Sequence, residues 1–98
     1  MESFAFDYPA TQPVTQRAHV GVVGSGDLEV LLEPTTSGHT RFMVRTATVG
    51  FRQTWQAVFE RFVAQHPLAA TFTINDFGAT PGVVALRLAQ ALELANPK

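Results

Sequence analysis

The chain has 98 residues, 46% of them hydrophobic and 15% charged, which describes one globular core and excludes disorder. Seven Lys+Arg against eight Asp+Glu leave a formal charge of -1, too little basic charge for a duplex-binding surface or a polybasic membrane anchor. The absence of cysteine excludes disulfides and protein-borne thiolate chemistry, and no apolar run is long enough to span a bilayer.

Residues 1–16, with Pro9 and Pro13 among Thr and Gln, read as an irregular N-terminal arm. Within it Phe4, Phe6 and Tyr8 alternate, a spacing that suits pairing along a sheet edge or a partner. From Arg17 the period-2 pattern is clear: Ala18, Val20 and Val22 alternate with Arg17, His19 and Gly21. Gly24-Ser25-Gly26-Asp27 interrupts it, and the alternation restarts with Leu28, Val30 and Leu32 facing away from Glu29, Leu31 and Glu33. Two such runs around a Gly-rich tetrad predict a β-hairpin.

Pro34 to Gly38 is a second turn, and Phe42 and Val44 then alternate with Arg41, Met43 and Arg45 in a third strand, expected antiparallel to the second. After Gly50 the period switches. Phe51, Trp55, Val58, Phe59, Phe62 and Val63 form the apolar stripe of a helix that His66-Pro67 ends. Thr71 to Ile74 is a short strand stopping at Asn75-Asp76-Phe77-Gly78, where Asp76 and Gly78 shape a turn. Thr80-Pro81 opens a second helix, with Val84, Leu88, Ala91, Leu92 and Ala95 inward, Arg87, Gln90 and Glu93 outward, and Asn96-Pro97 at its end.

The expected architecture is therefore α+β in two layers. Four antiparallel strands carry two helices on one face, in the order strand, strand, strand, helix, strand, helix, with residues 17–98 as the single domain. The fourth strand lies beside either the first or the third.

Little in this chain can do chemistry unaided. His19, His39 and His66 are scattered without metal-ligand spacing, and no two carboxylates are spaced to share a site. There is no phosphate loop, dinucleotide fingerprint or nucleophile elbow. A free-standing enzyme is not expected. Arg41, Arg45 and Arg52 suit either a solvated face or contact with phosphates or acidic partners, and Trp55 and its neighbouring phenylalanines suit the core. Ser25 remains. Between Gly24 and Gly26 it is an ordinary turn residue, or a hydroxyl cleared of neighbours so that it can enter another protein's site or bear a bulky covalent group. Asp27 can orient the turn by accepting from a backbone N–H.

His19 to Leu31, with Gly24-Ser25-Gly26-Asp27 at its centre, resembles the acyl carrier (delta) subunits of bacterial malonate decarboxylase. A second block, Ile74 to Pro81 leading into Arg87-Leu88, resembles them too, and the likeness spans most of residues 4–95. The Ser-Gly-Asp core is also similar to the citrate lyase acyl carrier, whose acidic residue before the serine is here Gly24. The resemblance implies a non-catalytic carrier in the cytoplasm, the compartment that the acidic, signal-free N-terminus also suggests. It implies that Ser25 bears a 2'-(5''-phosphoribosyl)-3'-dephospho-CoA prosthetic group through a phosphodiester, on a turn made by Gly24, Gly26 and Asp27. The thiol of that group then carries acetyl, which an acyltransferase subunit exchanges for malonyl and a decarboxylase subunit regenerates by releasing carbon dioxide. A malonyl transferase and a holo-protein synthase that attaches the group are the further implied partners. A citrate-lyase-type carrier and a cofactor-free interaction module are the alternatives.

Overall fold

The computed structural model describes residues 1–96, and the chain folds as a mixed sheet with two helices. The strands are β1 (Glu2–Pro9), β2 (Gln12–Pro13), β3 (Ala18–Gly21), β4 (Leu28–Pro34), β5 (His39–Thr46) and β6 (Leu68–Asp76). The helices are α1 (Arg52–Gln65) and α2 (Pro81–Ala95). The order across the sheet is β1-β5-β6-β4-β3, with the two-residue β2 pairing in parallel with the start of β6.

Three expectations need correction. Residues 2–9 are no irregular arm: β1 pairs antiparallel with β5 along its whole length, from Glu2↔Thr46 to Pro9↔His39. Its alternation outweighs its proline, because Pro9 ends an edge strand, where a missing N–H costs little. The sheet has six strands rather than four, and it is mixed rather than antiparallel. β5 and β6 run parallel, an arrangement that needs a crossover connection, which α1 supplies. Finally, β4 and β5 are not neighbours. β6 lies between them, antiparallel to β4, and the connecting turn passes over its start, where Thr35 N–H donates to Ala69 O at 3.1 Å.

The predicted alternation becomes one apolar face. A row of partners crosses all five main strands, Phe6, Phe42, Phe72, Leu32 and Ala18, every one buried. Both helices cover this face, as expected. Phe59 of α1 stacks on Phe42 at 4.0 Å between ring centroids and meets the edge of Phe6 at 5.5 Å, while Phe42 stacks on Phe72 at 4.8 Å. Each such pair adds about 0.5–1.5 kcal/mol beyond area burial. Val84, Leu88, Ala91 and Ala95 are the buried stripe of α2, and Leu92 packs partly against it. Thr80 caps α2 by accepting from Val83 N–H at 3.3 Å, with Pro81 next, a device worth about 1 kcal/mol. Asn96 ends the helix, and Pro97 lies outside the described residues. Among the described residues no helix is long and apolar enough to cross a membrane.

Candidate functional site

The turn between β3 and β4 holds Ser25 out in solvent. Asp27 N–H donates to Gly24 O at 3.1 Å, closing a four-residue turn with Ser25 and Gly26 in the middle. Gly26 takes a φ of +77°, the left-handed conformation that the third position of such a turn demands in its glycine-requiring form. The site also has room. A Cβ added at Gly26 would meet nothing within 4 Å, and one at Gly24 would touch only a Val22 methyl at 3.8 Å. Neither flanking position therefore sets a side chain beside the exposed Ser25.

Exposure does not make this tip loose. Gly26 N–H donates to Phe77 O at 2.8 Å, and Phe77 N–H donates to Asp27 O at 2.9 Å. These two bonds splice the turn to the segment that joins β6 to α2. The two blocks distinguished in the sequence, around Ser25 and around Asp76, are thus one structure in space.

Asp27 adds a second tie. Its Oδ1 accepts from Leu28 N–H at 2.7 Å, the local role expected of it. Its two oxygens also accept a fork from Arg87, Nε to Oδ1 at 3.1 Å and Nη2 to Oδ2 at 2.6 Å. Bidentate pairs of this kind fix orientation as well as adding energy. The apolar stripe of α2 leaves Arg87 facing outward with Gln90 and Glu93; in the structure it holds the turn through Asp27, and its Nη1 donates to Gln90 Oε1 at 3.0 Å. The Arg87 bonds, and after them the Leu28 N–H, hold the Asp27 carboxyl below its ordinary range, while Asp27 raises the Arg87 guanidinium in return. Periodicity could not reveal this pair: a position flanking the buried stripe is either wet or a bridge, depending on what lies across from it.

Asp76 anchors the other side. It is 1% exposed, and its Oδ2 accepts from the Thr46 hydroxyl at 2.8 Å, the Thr48 hydroxyl at 3.4 Å and Gly78 N–H at 3.3 Å. Its Oδ1 accepts from Ala79 N–H at 3.0 Å. Gly78, at φ +97°, completes the turn expected there. Across three strands, His19 Nε2 of β3 lies 2.9 Å from Glu29 Oε2 of β4 and Asn75 Nδ2 of β6 donates to Glu29 Oε1 at 3.0 Å, and these contacts, His19 first, lower the Glu29 carboxyl.

Two of the three arginines suggested for phosphates or partners are engaged elsewhere: Arg41 faces Asp7 at 3.7 Å, and Arg52 lies over the Phe4 and Phe6 rings at 5.6 and 5.0 Å. Arg45 is exposed on β5. Trp55 is core, but Phe51 is half exposed. Among the described residues no group of three or more His, Asp or Glu is placed to hold a metal.

Residues 15–95 match the family model described as the malonate decarboxylase delta subunit. The chain is similar to the malonate decarboxylase acyl carrier proteins of Azotobacter vinelandii, at 55% identity, and of Pseudomonas fluorescens strain SBW25, at 56%. Each match runs over 94 residues and covers 95% of both chains. Among solved structures it is similar to a chain in the crystal structure of a Pseudomonas malonate decarboxylase hetero-tetramer in complex with malonate. That match has a TM-score of 0.92 and 52% identity, and covers 98% of this chain and 100% of the other.

Proposed function

Since this chain belongs to the malonate decarboxylase delta subunit family, we propose that it is the acyl carrier of a malonate decarboxylase complex, with Ser25 as the attachment point of its prosthetic group. One observation carries the reading: an exposed serine, flanked by two glycines with open space at their Cβ positions, stands on a turn that is clamped from two sides. A turn residue with no task needs no such clamp, whereas a carrier must present its cargo at a defined place while leaving the cargo itself free to move.

The group is a phosphoribosyl-extended dephospho-CoA held to the Ser25 oxygen by a phosphodiester; when bound it supplies a thiol that carries acetyl and malonyl as thioesters, chemistry that a cysteine-free chain lacks. The chain's own residues attach and present. Gly24 and Gly26 keep side chains away from the phosphodiester, and Gly26 supplies the positive φ that the turn needs beside the exposed Ser25. Asp27 and Arg87 lock the turn to α2, and Phe77 locks it to the end of β6. Acyl exchange and decarboxylation then belong to the acyltransferase and decarboxylase subunits, to which the tether delivers the cargo at high effective concentration. A malonyl transferase and a holo-protein synthase complete the set of partners, in the cytoplasm.

The test is an intact mass of the chain co-expressed with active attachment enzymes, beside Ser25→Ala. The expected result is an adduct of the mass of the group on the native chain, mapped to the Ser25 peptide and missing from the variant. Malonate turnover by a complex assembled with Ser25→Ala would overturn the assignment, as would an unmodified native chain.

A further inference from the structure

A group tethered at Ser25 leaves the hairpin toward surfaces that are not alike. On one side, between the first turns of α1 and α2, lies a half-open cleft of about 340 Å3. Its wall is continuous with the hairpin. Gly78 lines the cleft, and a Cβ built on Gly78 would lie 3.9 Å from Gly26 N and 4.0 Å from Gly26 Cα. Since the Ser25 Cα is one step of about 3.8 Å from that of Gly26, the attachment residue stands within roughly 8 Å of the lip of the cleft.

The lining is suited to a flat, apolar-faced ligand. Trp55 and Val84 form buried walls at 5% and 3% exposure, while Phe51 presents a ring that is 50% exposed. The hydroxyl-bearing Thr48 and Thr54 also line the space. Ligand pockets commonly combine apolar walls, a few polar groups and a volume upward of about 300 Å3.

We propose that this cleft receives the adenosine portion of the prosthetic group, an inference that rests on the reading of Ser25 as the attachment site. The nucleoside is separated from the serine by one phosphoribosyl unit, so the tether brings it to the cleft before any other part. A purine has two apolar faces for the Phe51 and Trp55 side and polar edges for hydroxyls. Bases stack on aromatic rings in this manner without a sequence code. The amide-bearing arm beyond it has no comparable face to bury and stays in solvent. Docking the nucleoside thereby shortens the swinging part of the group and sets the direction in which the thiol leaves the carrier.

Trp55 is the chain's only tryptophan, so its emission reports on the cleft directly. Titration of 3'-dephospho-CoA into the unmodified full chain should change Trp55 emission saturably and shift the amide signals of Thr54, Gly78 and Ala79. Pantetheine, which lacks the nucleoside, should do neither. Phe51→Ala should weaken the dephospho-CoA response about fivefold or more, the loss expected for one base–ring stack, and its half-exposed position keeps the fold intact. In chain whose Ser25 adduct is verified by mass, Trp55 emission should be displaced in the same direction as in the titration. An unchanged Trp55 and unshifted cleft amides in verified adduct would overturn the docking and leave the attachment standing. A chain that takes no adduct under active attachment enzymes overturns the attachment, and the docking with it.

Discussion

Asp76 is where loss of a single side chain should disturb both the fold and the Ser25 turn. Replacing it with alanine removes the acceptor for two hydroxyls and two backbone N–H groups. At about 1 kcal/mol for each hydrogen bond, and more for a donor left buried, four such losses could reach 4 kcal/mol. Gly78 is exposed and can turn to water, and the Thr46 hydroxyl keeps the Thr48 hydroxyl as a partner at 2.9 Å, so the net is about 2 kcal/mol. In a domain of this size each kcal/mol moves Tm by about 4–8 °C, so Asp76→Ala should lower it by roughly 8–16 °C. Asp76→Asn is the informative partner. Its carbonyl can still accept from Ala79 N–H, its amide can donate to Thr46 Oγ1, and only the bond to the exposed Gly78 is lost, a cost below about 1 kcal/mol. Thermal unfolding by circular dichroism gives both values. Amide exchange adds a local reading, since the Gly26 N–H bonded to Phe77 O should lose protection in the alanine variant before the β5 and β6 amides do. Equal shifts for the two variants, or a drop below about 4 °C for alanine, would refute the reasoning.

Ser25→Ala should leave Tm within the change of about 0.5 kcal/mol typical of an exposed site, even while it abolishes the adduct; a large destabilisation would mean that the hydroxyl has a structural role. Gly21 and Gly26 should respond differently to alanine. Both have positive φ, but a Cβ at Gly21 would sit 2.0 Å from Leu28 O, whereas Gly26 faces open space. Gly26→Ala should cost about 1 kcal/mol and Gly21→Ala clearly more in urea unfolding, and equal costs would contradict the packing described. Acid should weaken the fold through Asp27 and Glu29. Both carboxyls lie below their ordinary values when folded, so their contribution is complete above the unfolded carboxylate range near 4 and is lost as pH falls through the lowered folded values. Arg87→Gln should flatten the acid limb of a stability-against-pH curve, and an unchanged limb would show that the pair contributes nothing to it.

Much of this molecule is written locally. Phe42 and Val44 against Met43 and Arg45 announce a half-buried strand because side chains alternate across any strand. Trp55, Val58 and Phe59 announce a helix because 3.6 residues make a turn. Thr80-Pro81 marks a helix start through bonds that reach only three residues. The turn around Ser25 is equally local, since glycine's freedom at positive φ belongs to the residue. The strand order is not local. Whether β6 lies beside β3 or between β4 and β5 depends on pairing between segments some 30 or more residues apart, and each arrangement satisfies the same alternation. For β1 the alternation of Phe4, Phe6 and Tyr8 suits a sheet edge or a partner alike, and only the open edge of β5 decides for the sheet. The Asp27–Arg87 clamp joins residues 60 apart. An arginine beside a buried stripe has no assigned partner until the sheet brings the end of a hairpin against its helix.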